Sequence, residues 1–125
     1  MKMIMAIAAG GAVGAVARHF AAHWVALHTG APWGIFAVNI LGAVIMGALV
    51  EIFGLFWSPA PEMRAFLAVG ILGSFTTFST FALDSVLLLN KGHWGTAMTY
   101  MVLSVVLSVA GLKLGMQATK YLILN

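Results

Sequence analysis

Charged residues are scarce in this sequence, with six lysines and arginines and three acidic residues among 125. A soluble domain carries roughly a quarter charged residues and exposes much of its surface, so this composition excludes a water-soluble globular protein. Intrinsic disorder, which needs low hydrophobicity and high charge, is excluded as well. Cysteine is absent, which excludes disulfides, thiolate metal sites and redox thiols. The net charge of +3 forms no basic cluster, so nucleic acid is not an expected partner.

Hydrophobic residues, by contrast, make up 62% of the chain. They gather in four runs, each near the roughly 20 residues that a helix needs to cross a bilayer. Turn residues and prolines separate the runs, because proline lacks an amide donor and restricts the residue before it. We predict an all-α membrane protein with a single four-helix transmembrane domain over residues 1–125, with spans at about 3–27, 33–57, 63–89 and 94–122.

The third run differs from the others at its middle. Gly70 and Gly73 are followed by a cluster of hydroxyl residues between Ser74 and Thr80. Glycine and β-branched threonine lower helix propensity, and irregular backbone at membrane depth is tolerated only against protein or water. We therefore predict that this span is broken near residues 73–76, with a short helix on either side.

Basic residues show only a small bias between the two sides of the membrane, three or four on one side against one or two on the other. Lys2, Arg64 and Lys120 lie on the side of the termini, whereas Lys91 lies on the other side, with Arg18 near one end of its span. This small bias favours cytoplasmic termini by the positive-inside rule. It is too small to exclude insertion in both orientations.

Polar side chains within a membrane are costly and therefore mark candidate functional positions. Asn39, near the middle of the second run, either joins two helices by a hydrogen bond or works in a pathway. Arg18 either snorkels to the interface or lines a wet vestibule, where its permanent charge favours anions. His19 and His23 share a helix face that suits a metal, but no third ligand lies nearby in sequence, which favours packing.

Phenylalanines recur every three residues among the hydroxyls of the third run, at Phe75, Phe78 and Phe81. Such a stripe usually serves packing. A phenylalanine ring, however, has a positive edge that can solvate a small anion without a full charge. The accompanying hydroxyls are also too dense to be explained by back-bonding to helix carbonyls alone.

The fourth run carries hydroxyls at i, i+4 and i+8, at Tyr100, Ser104 and Ser108. They form either a polar track through the protein or a hydrogen-bonding seam between helices. Two acidic residues, Glu51 near a helix end and Asp84 just beyond the phenylalanine segment, suit a vestibule or the membrane interface.

These residues resemble the small bacterial fluoride channel family known as Fluc or CrcB. The resemblance rests on Gly73 and the run Thr76–Phe81 on the third span, the pair Val38–Asn39 on the second, and Gly14 with Arg18 on the first. It extends over nearly the whole chain in length, number of spans, the broken third span and the order of motifs.

The resemblance implies a fluoride-selective channel of the bacterial plasma (inner) membrane that exports cytoplasmic fluoride passively and so gives fluoride resistance. It implies a dual-topology antiparallel homodimer with two fluoride pathways along the subunit interface. The residues assigned to the fluoride pathway are Asn39, Phe78, Phe81, Thr80, Ser108, Tyr100 and Arg18.

A structural sodium ion at the dimer centre is also implied, held by the backbone carbonyls of Gly73 and Thr76. Two positions depart from the family pattern. Ser74 stands where relatives often have a second glycine, and Phe75 adds a third ring. Asp84 falls where relatives often carry glutamate, which leaves its role open.

The alternative function is a small multidrug-resistance-type, proton-coupled cation transporter, which is also a four-span dimer of dual orientation. Such a transporter needs a membrane carboxylate, normally in the first helix, where this chain has Arg18 and no acidic residue. A structural subunit without transport activity would explain the packing glycines but not the run of rings and hydroxyls. Neither an ATP-driven motor nor an enzyme is expected, since no P-loop and no set of nucleophile, base and orienting group is present.

Overall fold

The fold is entirely helical, in a computed structural model that describes all residues from Met1 to Asn125. Two long helices come first, and the third apolar run is divided into several pieces before one long final helix. In chain order the elements are α1 (Lys2–Thr29), α2 (Trp33–Leu55), α3 (Pro61–Arg64), a π-helical segment (Ala65–Leu72), α4 (Gly73–Phe75), α5 (Phe78–Asn90) and α6 (Trp94–Leu124).

Four helical stretches are long and apolar enough to cross a membrane: Lys2–Thr29, Trp33–Leu55, Pro61–Asn90 and Trp94–Leu124. The predicted all-α class with four candidate spans is thus confirmed. Only 17 of the 125 residues are buried within the chain, so most apolar side chains face outwards. Outward-facing apolar side chains suit contact with lipid or with another subunit, because both surroundings are themselves apolar.

The third span is interrupted later than the sequence suggested. Gly73 is still helical (φ −63°, ψ −30°), and helical backbone continues to Phe75. The backbone becomes extended at Thr76 (φ −89°, ψ 157°) and Thr77 (φ −152°, ψ 121°). Low helix propensity at Gly73 is therefore not sufficient to end the helix. The helix ends where side chains from neighbouring helices bind the backbone, as described below.

Eight residues before the break form the π-helical segment, Ala65–Leu72, which the sequence did not predict. π-Helical turns are rare and frequently lie at functional sites. The apolar residues of this segment show no pattern that separates it from an ordinary helix. Its widened turns lie where the third span packs against α1.

Glycines allow α1 to approach the third span closely. Gly10 lies against the backbone carbonyl of Phe66, and Gly14 lies against that of Ile71, so a Cβ at either position would collide with backbone. Because residue numbers rise together along this contact, α1 and the third span run parallel. Gly10 and Gly14, four residues apart on α1, thus serve close helix packing.

A second parallel pair is formed by α2 and α6. Gly111 lies near the carbonyl of Ile40, and Gly115, one turn later, lies against the carbonyl of Val44, so residue numbers again rise together. This pair packs against the first one through contacts between α2 and α1. The break between α4 and α5 lies beside these helices, within reach of side chains from α1 and α2.

Candidate functional site

A groove of about 360 Å³ lies between α2, α6 and the break in the third span. Polar atoms and aromatic rings enter it from all three. Its lining consists of Asn39, Gly42, Ala43, Met46, Thr76, Thr77, Phe78, Phe81, Ser104, Val105, Ser108, Val109 and Leu112. None of these side chains carries a charge, so an ion in the groove would meet only amides, hydroxyls, ring edges and aliphatic groups.

Asn39 joins α2 to the break through both atoms of its side-chain amide. Its Oδ1 accepts a hydrogen bond from the Thr77 amide at 2.7 Å, and its Nδ2 donates to the Thr77 carbonyl at 3.0 Å. The side-chain nitrogen of asparagine carries two N–H groups, so one of them has no partner in these two bonds. The interhelical bond considered from the sequence is therefore present, and the same side chain also lines the groove.

Arg18 reaches the break from α1. Its Nη1 donates to the carbonyl of Thr76 at 3.3 Å. The guanidinium is thus drawn towards the centre of the molecule, whereas a simple snorkelling role would carry it to the interface. Together with Asn39 it satisfies backbone groups that the broken helix cannot pair internally.

The hydroxyls around the break form a local network. The Thr77 hydroxyl caps α5 by accepting a hydrogen bond from the Thr80 amide at 3.3 Å. The same hydroxyl donates to the Thr80 hydroxyl at 3.2 Å. Ser79 Oγ lies 3.2 Å from the same Thr77 oxygen. Thr76, by contrast, bonds back to the Leu72 carbonyl at 3.2 Å. Back-bonding thus accounts for one of these residues and not for the others.

Three aromatic rings form a continuous row from the groove into the protein. The ring centroids of Phe78 and Phe81 are 5.4 Å apart, and those of Phe81 and Tyr100 are also 5.4 Å apart. Phe78 is 78% exposed, whereas Tyr100 is fully buried. Phe75 is 9% exposed, lies near Gly42 and does not line the groove.

The three hydroxyl residues of α6 have different surroundings. Tyr100 donates to Asp84 Oδ2 at 3.4 Å, and Ser108 lines the groove. Ser104 is only 5% exposed, and its buried Oγ has no hydrogen-bond partner within the chain. A buried hydroxyl without a partner costs about 1–3 kcal/mol, so a seam of hydrogen bonds between helices does not explain Ser104.

The fold gathers only some of the proposed pathway residues in the groove. Asn39, Phe78, Phe81 and Ser108 line it, and Ser104 lines it too, although the resemblance did not assign that residue. The only sequence signal for Ser104 was its place one turn from two other hydroxyls. The other three do not line the groove. Thr80 is hydrogen-bonded to the Thr77 hydroxyl, Tyr100 lies at the buried end of the row of rings, and Arg18 lines a different cavity.

That second cavity has a volume of about 350 Å³ and is lined by charged and titratable side chains. They are Arg18, His19 and His23 from α1 and Asp84 from α5. The two histidine rings stack at 6.2 Å with an interplanar angle of 4°. No group of three His, Cys, Asp or Glu side chains could hold a metal ion, and Glu51 lines neither cavity.

The carbonyls of Gly73 and Thr76 have the oxygen chemistry that a sodium ion requires. In a continuous helix the Thr77 amide would donate to the Gly73 carbonyl, but here it donates to Asn39. The Thr76 carbonyl accepts from Arg18 and keeps a second lone pair. Unwound backbone at the middle of a membrane is a known way to present carbonyls to sodium, so these residues fit the ion.

Comparison with known proteins adds an independent line of evidence. Residues 5–116 match the family model described as CrcB-like protein, Camphor Resistance (CrcB). The chain is 50% identical over 120 residues to a protein of Rhodospirillum centenum named "Fluoride-specific ion channel FluC", covering 93% of this chain and 94% of the relative.

Two further relatives carry the same name. One, from Nitrobacter winogradskyi, is 42% identical over 119 residues, with 94% of each chain covered. The other, from Agrobacterium fabrum, is 42% identical over 118 residues, covering 93% of this chain and 94% of the relative. With its four candidate spans and this similarity over almost its full length, the chain is a multi-pass bacterial membrane protein and belongs to the CrcB family.

Proposed function

We propose that the protein conducts fluoride passively across the membrane and discriminates against chloride. The observation that carries this proposal is the groove, which combines an amide, hydroxyls and ring edges with no charged side chain. Fluoride is strongly hydrated, so a selective pathway must replace its water with hydrogen-bond donors. Donors that are neutral and spread along the groove can do so without holding the ion too tightly to release it.

Each assigned residue has a part in this pathway. The spare N–H of Asn39 and the hydroxyls of Ser104 and Ser108 donate to the ion, and the positive edges of Phe78 and Phe81 face it. Thr80 supports the Thr77 hydroxyl, and Tyr100 ends the row of rings beside Asp84. Arg18 raises the local anion concentration in the second cavity, which serves as the vestibule.

The working channel in this proposal is an antiparallel homodimer whose subunits insert in opposite orientations. The groove needs such a partner to be enclosed, since Phe78 is 78% exposed on a single chain. The bias of basic residues towards one side is small, which supports insertion in both directions. The two subunits would then contribute two equivalent fluoride pathways.

A sodium ion completes the proposed dimer. The carbonyls of Gly73 and Thr76 from both subunits would hold it at the breaks of the third spans. When bound, sodium supplies a fixed positive charge that neutralises the converging carbonyl dipoles and joins the two breaks. Within the single chain, the Asn39 bond to Thr77 supports this assignment, because it leaves the Gly73 carbonyl without its usual helical partner.

The names of the relatives support transport and not catalysis, since the three reported above are called fluoride-specific ion channels. The small multidrug transporter alternative gains no such support. Its membrane carboxylate is missing from α1, whose only charged residues are Lys2 and Arg18. Passive export suits a cell in which fluoride enters as the neutral acid and dissociates in the more alkaline cytoplasm.

The decisive experiment is ion efflux from liposomes that contain the purified protein. We expect rapid fluoride efflux and chloride efflux close to that of protein-free liposomes. Phe20→Ile serves as a matched control for aromatic substitutions, because Phe20 is exposed on α1 and lines neither cavity. Equal fluoride and chloride efflux would contradict the selectivity, and no efflux of either ion would contradict the channel.

A further inference from the structure

The break in the third span is held by a side chain that also lines the groove. Asn39 accepts a hydrogen bond from the Thr77 amide at 2.7 Å and donates one to the Thr77 carbonyl at 3.0 Å. Both distances are normal hydrogen-bond lengths, so Asn39 binds the amide and the carbonyl of the same residue. An asparagine amide offers a donor and an acceptor side by side, which is the pattern that an extended residue presents.

This pair of bonds competes with helix formation. The last helical bond before the break joins the Thr76 amide to the Leu72 carbonyl at 3.2 Å. The next would join the Thr77 amide to the Gly73 carbonyl, but that amide is already occupied by Asn39. Asn39 therefore keeps Thr77 extended and leaves the Gly73 carbonyl unpaired.

We propose that Asn39 is a positioning residue that couples the anion groove to the cation site. Its bonds to Thr77 leave the Gly73 carbonyl free, and its side chain, which keeps a spare N–H, lines the groove. This inference rests on the proposed function, and in particular on the sodium site. It goes further by making sodium binding dependent on a residue that does not contact the ion.

The bond that Asn39 Oδ1 accepts from the Thr77 amide also strengthens the donor that remains. Hydrogen bonds in a chain polarise one another where the dielectric constant is low. Acceptance by Oδ1 from the Thr77 amide withdraws electrons from the Asn39 side chain, which makes its free N–H a better donor to an anion. No titratable side chain lines the groove, so this donor does not depend on a neighbouring protonation state.

The first test uses the wild-type protein alone. If Asn39 holds Thr77, the amide of Thr77 exchanges with solvent deuterium as slowly as the amides of the adjoining helices. Exchange as fast as that of the loop residue Ser58, whose amide has no hydrogen-bond partner in the chain, would overturn the proposal. This measurement needs no substitution and so does not depend on the folding of a variant.

The second test measures how much sodium is needed to stabilise the reconstituted channel against thermal unfolding. At neutral pH, Asn39→Asp should raise the sodium midpoint about tenfold, within the usual range of coupling between sites, because a carboxylate cannot donate to the Thr77 carbonyl. Lowering the pH to 3, below the ordinary aspartate pKa of about 3.9, should restore the midpoint, since the protonated acid has one donor and one acceptor. Asn39→Leu should stay shifted at both pH values, and the wild type measured alongside corrects for other titrating groups.

Phe81→Ile is the matched control, because Phe81 lines the same groove without bonding to the break. It should lose fluoride flux and keep a sodium midpoint within about twofold of the wild type. Reduced flux with an unchanged midpoint in Asn39→Asp would overturn the coupling and leave Asn39 as a direct ligand only. A wild-type protein that sodium does not stabilise would instead remove the proposed cation site, and the coupling with it.

Discussion

The two cavities of this protein have similar volumes, about 360 and 350 Å³, and opposite chemistry. The groove beside the break has no charged side chain, whereas the other cavity has Arg18, two histidines and Asp84. A charge in an open, wet cavity attracts ions at little cost. A charge inside a narrow groove would bind an anion too strongly for rapid passage. In the proposed channel, the charged cavity would attract the ion and the uncharged groove would conduct it.

The largest effect should follow from removing a ring of the groove. Phe81→Ile replaces a ring edge with aliphatic groups in a groove where no charged side chain is available to compensate. We expect fluoride efflux from liposomes to fall about 100-fold. An equal fall in Phe20→Ile would show that general packing, and not the groove, is responsible.

A smaller loss should follow from removing the unpaired hydroxyl of α6. Ser104→Ala deletes one donor to the ion, and a hydrogen bond to a charged group contributes about 1.5 kcal/mol, which corresponds to about a tenfold fall in flux. The thermal unfolding temperature should stay the same or rise, because Ser104 Oγ has no partner to lose within the chain. Lower thermal stability with unchanged flux would assign Ser104 to packing.

Substitution in the charged cavity should change flux less, and in a way that depends on salt. Arg18→Gln keeps a donor for the Thr76 carbonyl and removes the positive charge. We expect about a threefold fall in fluoride efflux at low ionic strength and almost none at 1 M of an impermeant salt, where the Debye length is about 3 Å. A fall that persists at high salt would mean that Arg18 acts through the break and not through its charge.

The smallest effect should come from Asp84. Asp84→Asn removes the one acidic side chain of the charged cavity and leaves an oxygen to accept from the Tyr100 hydroxyl. Fluoride efflux at low salt should rise about twofold, because a like charge no longer repels the ion. Reduced efflux would indicate that the Tyr100–Asp84 bond matters more than the charge.

The sequence anticipated most of what depends on composition and local propensity. Nine charged residues against 62% hydrophobic residues predict a membrane protein without reference to any contact. Small residues four positions apart let helix backbones approach closely, and Gly10 and Gly14 lie against backbone of the third span. The dense run of rings and hydroxyls identified the region that lines the groove, even though periodicity could not say which members face it.

The position of the break shows why local propensity was not enough. Gly73 has the lower helix propensity but stays helical, while Thr77 is extended. Thr77 differs because Asn39, 38 residues away in sequence, binds both its amide and its carbonyl. Such a partner is invisible in a local sequence window, so the break was expected near residues 73–76 and lies at Thr76 and Thr77.

Sequence alone therefore determined that the protein lies in a membrane, how many spans it has, and that its polar segment consists of uncharged hydroxyls and rings. Each of these follows from how many residues of a given kind occur in one stretch. The tertiary structure decided which residues act together. It buried Phe75 and exposed Phe78, left Ser104 without a partner, and brought Asn39 to the break. These outcomes depend on which helix faces pack against each other, and the packing of α2 with α6 and of α1 with the third span sets them.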